Sequence, residues 1–373
     1  MRALFFSNTI SPYNALLVDA LRRRGNHVRA IYEHLPADLG RSWIRELSEG
    51  DHVASNFAHQ YHAAAEGDFD VALLHGTYIG KLAVARMAGL HRAGLFQANR
   101  LPAAYWGERL RRQDHLIGLY RNAYFSYCDT IFAIGRWAVK SYTTCVRPGT
   151  VIHNFPYTTA TTLVPRELAE TPTIGFIGSM IPRKGVDRLL RAVANIQTSR
   201  RPRLELVGSG PRRSELESLA CGLGLEVEWF GELGRQDMDL VRSRWWVQAV
   251  PSVYDGWGVV VPEGLASGIP VVASDHTGAA LDLIRPGFNG TVLPLDGDWA
   301  QAIQGYCDEG TTIFEGQNAR LLAAEIDTTK AALWLEEMLD PGARGRSRSF
   351  VGEAWGRIAK DIRLPPEVKI TPS

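Results

Sequence analysis

The chain has 373 residues, 45% of them hydrophobic and 22% charged. That length suits two domains of roughly 150–200 residues, and that composition excludes a disordered chain, a collagen-like chain and a disulfide scaffold. The net charge of +1 argues against a nucleic-acid-binding protein, although residues 1–150 hold 18 Lys+Arg against 12 Asp+Glu and residues 151–373 hold 23 against 28; the basic first half is either a face for an anionic partner or membrane surface, or a plain surface imbalance.

Residues 3–6, 28–32, 71–74, 94–97 and 130–134 read as buried strands, being short apolar runs that end near turn formers. Residues 14–24 read as a helix, with Leu16, Leu17, Ala20 and Leu21 on one face and Gly25 as its stop. Around 153–172, His153-Asn154-Phe155-Pro156, a Thr-rich stretch, Pro165 and Pro172 have the composition of a linker. The alternation restarts with strands at 173–177, 204–207, 227–230, 247–250, 270–273 and 291–293. Helices start near Gly185, Pro211, Arg235, Val259 and Ala279. Residues 317–339 read as one long helix and 350–362 as another, with Trp355, Ile358 and Ile362 at helical spacing. This pattern predicts an α/β fold of two doubly wound parallel sheets, with ligands outside the carboxyl ends of the strands and the cleft between domains as the default site.

No apolar run approaches the roughly 18–20 residues that span a bilayer, and the first residues lack the charged start and apolar stretch of a signal peptide. A cytoplasmic location is expected. Cys128, Cys145, Cys221 and Cys307 form no CxxC pair, so isolated buried thiols are expected rather than a zinc or redox site.

Gly178-Ser179-Met180-Ile181-Pro182-Arg183-Lys184-Gly185 joins a strand to a helix and bears two adjacent cations. The helix N-terminus and those cations suit a diphosphate, with a solvated loop as the plainer reading. Gly208-Ser209-Gly210-Pro211 is a tight turn or a place where a nucleotide approaches the backbone. No full GxGxxG occurs, which disfavours a nicotinamide cofactor. The segment 250–273 is the most informative. Asp255 sits in a Gly-rich loop and Glu263 follows eight residues later, inside a helix that starts near Val259. N–H groups at Gly256, Trp257 and Gly258 can hold phosphate oxygens while the carboxylates take hydroxyls, a combination that suits a nucleotide sugar. Two solvated acids on a turn are the alternative. Asp237-Met238-Asp239 mimics a metal-binding DxD motif but reads as a helix start, and Asp68-Phe69-Asp70 reads as a turn. His75 and His276, each beyond a strand end, read either as acceptor contacts or as satisfied structural histidines. Aromatics and arginines from Tyr105-Trp106 to Tyr127, including Arg109, Arg111, Arg112 and Arg121, make either an interfacial helix or a core helix with a solvated face.

Residues 172–295 resemble retaining family-4 glycosyltransferases of the GT-B fold. The resemblance rests on GSMIPRKGVD, LELVGSGP, VEWFGEL, PSVYDGWGVVVPEGLASGIPVVAS and GAALDLIRPGFNGTVLP in that order; the first half resembles the family only generally. It implies two Rossmann-like domains facing a central cleft: 1–153 for the acceptor, 154–345 for the nucleotide sugar, and a helix and tail at 346–373 crossing back to the first. By this resemblance Glu263 binds the donor ribose, Asp255 contacts the donor sugar, and Lys184 neutralises the leaving diphosphate. Gly178, Ser179, Gly208, Gly256, Trp257, Gly258 and Val259 line the donor site, and Phe230 meets the base. Asp255 stands where the family usually has Glu, and Ser179 where it usually has Arg, so Arg183 is the candidate for the missing charge. The loop 7–13 lacks the family's glycines and 95–100 lacks its histidine; Ser11, Tyr13, His75, Asn99, Arg100 and Glu108 are the acceptor candidates. The implied activity moves a hexose-type sugar from a UDP- or GDP-sugar to a hydroxyl of a carbohydrate or lipid-linked acceptor, as in polysaccharide or glycolipid assembly. No metal or cofactor and no nucleic acid is expected, while peripheral contact with the inner face of a membrane is compatible with it. A nucleotide-sugar epimerase or phosphorylase, and a catalytically weak sugar-binding subunit, are the competing readings.

Overall fold

The computed structural model describes residues 1–35, 47–76, 79–96, 124–143, 146–159, 165–198, 200–342 and 345–361. The chain divides into two compact units, Met1–Thr158 with Asp327–Val351, and Thr159–Ile326 with the residues from Gly352 onward.

The first unit is built on seven parallel strands: β1 (Arg2–Thr9), β2 (His27–His34), β3 (His52–Val53), β4 (Val71–His75), β5 (His91–Phe96), β6 (Thr130–Ala133) and β7 (Val151–Asn154). Their order is β3-β2-β1-β4-β5-β6-β7, so the winding reverses between β1 and β4. Successive strand residues alternate between two covered faces. Leu4, Phe6, Ile31, Ala72 and Leu74 pack on one of them with Leu82, Val84 and Ala85 of the helix Ile79–Met87. Ser11 caps the helix Pro12–Arg23 by accepting from the Asn14 N–H at 3.2 Å, and Pro12 fills the first helical position.

The second unit has six parallel strands: β8 (Thr173–Ile177), β9 (Arg203–Val207), β10 (Val227–Gly231), β11 (Val247–Val250), β12 (Val271–Ser274) and β13 (Gly290–Leu293). Their order is β10-β9-β8-β11-β12-β13, with the reversal between β8 and β11. The helix Val186–Ala194 buries Val186, Leu189, Leu190 and Val193 against Ile174, Phe176, Leu204 and Leu206. The helix Phe350–Asp361 anchors itself through Trp355, which is 1% exposed and donates Nε1–H to the Asp282 carbonyl at 3.1 Å. Two Rossmann-like units are thus present, as the GT-B expectation requires.

Several details differ from that expectation. His153 and Asn154 are strand residues rather than linker, because β7 completes the first sheet beside β6. Residues 317–339 are not one helix. Glu309–Glu325 ends and Thr328–Leu339 begins anew, capped by Asp327, whose side chain accepts from the Lys330 N–H at 2.8 Å. The segment that rejoins the first unit is Asp327–Val351 rather than 346–373. Cys128 is buried, but Cys221 is exposed. Among the described residues, no helix is long and apolar enough to cross a membrane.

Candidate active site

Where sheet winding reverses, loops leaving neighbouring strand ends diverge and open a crevice. In the second unit those loops follow β8 and β11. The first passes Gly178 and a 3₁₀ turn, Pro182–Lys184, before the helix Val186–Ala194; the second enters the helix Val260–Ala266. They are tied by the Val253 N–H, which donates to the Arg183 carbonyl at 2.8 Å. Gly185 permits this approach. Its φ is +67°, and a Cβ there would stand 2.1 Å from the Pro251 carbonyl oxygen.

The closure brings Lys184 and Asp255 together, with Nζ donating to Oδ2 at 2.5 Å. Arg183 Nη1 donates to the Tyr254 carbonyl at 2.9 Å and lies 3.8 Å from Asp255 Oδ1. The Lys184 and Asp255 side chains are only 14% and 15% exposed, so their charges are weakly screened. Beside them, the backbone hydrogen bonds skip the N–H groups of Gly256, Trp257 and Gly258, while the carbonyls of Asp255, Trp257, Gly258 and Val259 are all used as acceptors. These N–H groups are uncommitted among the described residues, and a run of such groups ahead of a helix favours an anion. Glu263, in the helix Val260–Ala266, accepts from Arg242 Nη2. Arg242 is 7% exposed at its side chain and comes from the helix Arg235–Ser243. Sequence reasoning missed it. Its signal was a basic residue in the last turn of a helix whose first-turn Asp237 was correctly read as a helix start.

Other expected donor residues take structural places. Gly208 is a glycine for the protein's sake, since its Cβ would fall 2.1 Å from the Gly178 carbonyl oxygen. Gly178 in turn donates to the Val207 carbonyl at 3.0 Å, so the two loops lie backbone to backbone. Ser179 is exposed. Trp257 is 1% exposed, and its Nε1 has no partner among the described residues; its indole belongs to the core. Gly258 has φ +82°, and a Cβ would meet the Thr277 methyl at 2.5 Å. Val259 is the residue at which the helix Val260–Ala266 begins. Phe230 lies on the edge strand β10, where the Arg244 guanidinium sits 5.4 Å from its ring centroid. His276 Nδ1 lies 2.8 Å from the Val253 carbonyl and steadies the same loop.

In the first unit, the corresponding reversal lies between β1 and β4. His75 ends β4 with both ring nitrogens engaged. Nδ1 is 3.1 Å from Ser7 Oγ and 3.1 Å from Asn14 Nδ2, and Nε2 is 2.6 Å from the Tyr157 hydroxyl. Burial and the nearby Lys81 charge lower its pKa to about 4, so it is neutral at physiological pH. Ser11 is spent on its helix cap, and the Tyr13 ring stands 6.0 Å from that of Tyr157. Asn99, Arg100 and Glu108, like residues 105–121, lie outside the described residues. Sequence reasoning also missed Lys81 and Glu33. Lys81 is fully buried and 3.5 Å from Glu33 Oε1. Its pKa falls to about 8 because burial outweighs the Glu33 charge.

Residues 171–309 match the family described as glycosyl transferases group 1. Among curated proteins, a D-inositol 3-phosphate glycosyltransferase of Corynebacterium kroppenstedtii is 33% identical over 187 residues, 46% of this chain and 41% of that protein. The MMP alpha-(1->4)-mannosyltransferase of Mycolicibacterium hassiacum is 30% identical over 159 residues, 41% of this chain and 38% of that protein. The chain thus spans about two-fifths of the length of these curated relatives. Among solved structures, sucrose-phosphate synthase from Thermosynechococcus elongatus superposes with a TM-score of 0.69 at 18% identity, over 97% of this chain and 100% of that one. HepE of Anabaena, solved with UDP, gives 0.70 at 20% identity, over 91% and 99%. These structural likenesses carry the fold. The sequence match carries the lineage: the segment of the second unit from residue 171 to residue 309 belongs to the glycosyl transferases group 1 family.

Proposed function

We propose that the protein is a retaining, family-4 glycosyltransferase that moves a hexose-type sugar from a UDP- or GDP-sugar to a hydroxyl of a carbohydrate or lipid-linked acceptor, in polysaccharide or glycolipid assembly. The observation that carries this reading is the convergence of Lys184 and Arg183 on Asp255 at the β8/β11 reversal, beside the N–H groups of Gly256, Trp257 and Gly258, which have no backbone partner among the described residues. The curated relatives named above are glycosyltransferases, and HepE was solved with UDP, which supports a nucleotide donor.

In this reading the donor diphosphate takes the Lys184 ammonium and the loop N–H groups. Asp255, released from Lys184, then accepts sugar hydroxyls, and Glu263 takes ribose hydroxyls in place of Arg242. The anomeric carbon–oxygen bond to the diphosphate breaks, and a bond to the acceptor oxygen forms. The acceptor proton passes to the departing diphosphate oxygen. The charge developing on that oxygen is met by Lys184 and Arg183, which is where the rate enhancement arises. Nothing in this scheme requires a metal.

The test is thermal unfolding with UDP, GDP and their common sugar conjugates, first without metal and then with magnesium. A nucleotide at one hundred times its Kd adds about 2.7 kcal/mol to stability. The expected result is a raised melting temperature with one nucleotide, lost in Lys184→Ala and Glu263→Ala. An undisturbed melting temperature at millimolar nucleotide would overturn the reading.

A further inference from the structure

A cleft of about 400 Å³ opens within the second unit, a volume in the range of small-molecule sites. Its walls carry Arg166, Leu168, Glu309, Ile313, Gln317 and Arg320. Trp245 leads into β11 and Gly268 into β12, and Arg166 holds both carbonyls, through Nη2 at 2.5 Å and Nη1 at 2.8 Å. The cleft therefore lies at the amino edge of the second sheet, away from the loops that follow β8 and β11. Gly268 stands between the two arginines. Arg320 Nε packs so close to it that a Cβ there would lie 2.3 Å away. Arg166 gives its hydrogen bonds to carbonyls, the third being Thr312 at 3.4 Å, and no carboxylate pairs with it among the described residues. A guanidinium has five N–H groups, and described residues take three of those of Arg166. Burial and the Arg320 charge lower its pKa to about 10, so it stays charged at neutral pH. A poorly solvated cation that no carboxylate balances is costly unless an anion reaches it. The carbonyl end of the helix Val260–Ala266 offers only about half a negative charge. Glu309 is exposed and solvated. Two guanidinium charges outweigh the two together, so the lining is positive.

We infer that this cleft is a binding site for a phosphate ester: Arg320 and Arg166 take the phosphate, and Leu168 and Ile313 cover its carbon substituent. An ester carrying about one to two negative charges balances the lining, whereas a neutral sugar leaves it positive and a cation adds to it. Doubly wound sheets take their substrates at the carboxyl edge, so a ligand at the amino edge is an effector or an anchor. The phosphate belongs either to a soluble ester or to an anionic phospholipid headgroup, and the recognising chemistry is the same. The inference does not rest on the transferase reading above.

Isothermal titration calorimetry with glycerol 3-phosphate, and flotation with vesicles of equal parts phosphatidylcholine and phosphatidylglycerol, test it on the full chain. Wild-type protein is expected to bind at least one of the two probes. Binding is expected to weaken about tenfold in Arg320→Gln, which loses a charged donor, and several-fold in Gln317→Glu, which adds a negative charge to the lining. It is expected to be unchanged in Lys184→Ala, which removes anion binding at the loop after β8. Calorimetric binding identifies a soluble ester as a source of the phosphate; vesicle capture without it identifies the lipid headgroup. Failure of both probes to bind wild-type protein overturns the inference, as does wild-type affinity in Arg320→Gln. If Arg320→Gln does not fold, wild-type affinity in Gln317→Glu, whose side chain is exposed, overturns it. Loss of binding in Lys184→Ala overturns it too, because the anion then sits at the loop after β8.

Discussion

Lys184 and Asp255 are 71 positions apart in the sequence, yet their side chains meet at 2.5 Å. What permits this is largely one glycine. Gly185 turns the chain at φ +67° under the Pro251 carbonyl. An alanine would need a backbone that L-residues rarely adopt and would drive a methyl into a carbonyl oxygen. Strain alone at such a position costs about 1–3 kcal/mol, and the collision adds to it. Gly185→Ala is therefore expected to lower the unfolding free energy by at least that much, read as a lower urea midpoint at unchanged slope, and to weaken nucleotide binding through the displaced Lys184. A wild-type midpoint would show that the two loops part without penalty. Lys184, Arg183, Asp255 and Glu263 were all legible in the sequence, because loop cations and acids at strand-to-helix junctions are a local pattern. Arg242 and Glu33 were not. A buried arginine at a helix end and a glutamate near a strand end look like surface charges until packing covers them.

At the scale of elements, strands and amphipathic helices of the second half were legible because apolar period and turn residues agree there. The helix Val186–Ala194, for instance, starts after Gly185 and buries Val186, Leu189, Leu190 and Val193. The break at Asp327 was not legible: no glycine or proline marks it, and apolar residues keep helical spacing across it. The two-residue strand β3 is too short to show a period. At the end of β4, His75 joins β1, the helix Pro12–Arg23 and the segment after β7 through Ser7, Asn14 and Tyr157. This linkage is sensitive to pH. The pKa of His75 in the fold is about 4, against 6.5 for an ordinary histidine. The unfolded chain therefore takes up a proton first. Stability is complete above pH 6.5 and is lost as pH falls toward 4, by up to about 3 kcal/mol at roughly 1.4 kcal/mol per unit. Urea unfolding of wild type and His75→Gln at several pH values between 7 and 4 is expected to show a difference that shrinks as pH falls. A difference independent of pH would mean that His75 titrates normally.

At the scale of the whole molecule, the chain visits each unit twice, and neither is continuous in sequence. The first unit is completed by Asp327–Val351. The Trp334 ring lies 5.9 Å from that of Phe155, nearly parallel, and 5.6 Å from that of Phe350. Glu336 accepts from Arg24 Nε at 2.9 Å, and Thr158 Oγ1 donates to Thr328 Oγ1 at 3.2 Å. Trp334 is 5% exposed. Removing a buried tryptophan side chain costs about 3–5 kcal/mol, and a typical domain has only about 5–15 kcal/mol in all. A fragment of residues 1–158 lacks that tryptophan and its helix, and exposes Phe155 and the core side of the helix Pro12–Arg23. It is expected to unfold at low urea without a sharp transition and to bind a hydrophobic dye. Joining residues 327–351 to it through a flexible linker is expected to restore a cooperative transition. If the fragment alone unfolds as sharply as the linked form, and at the same urea concentration, the returning helix is dispensable. The first unit would then be complete before the chain leaves it, and the second visit would serve only to tether the two units.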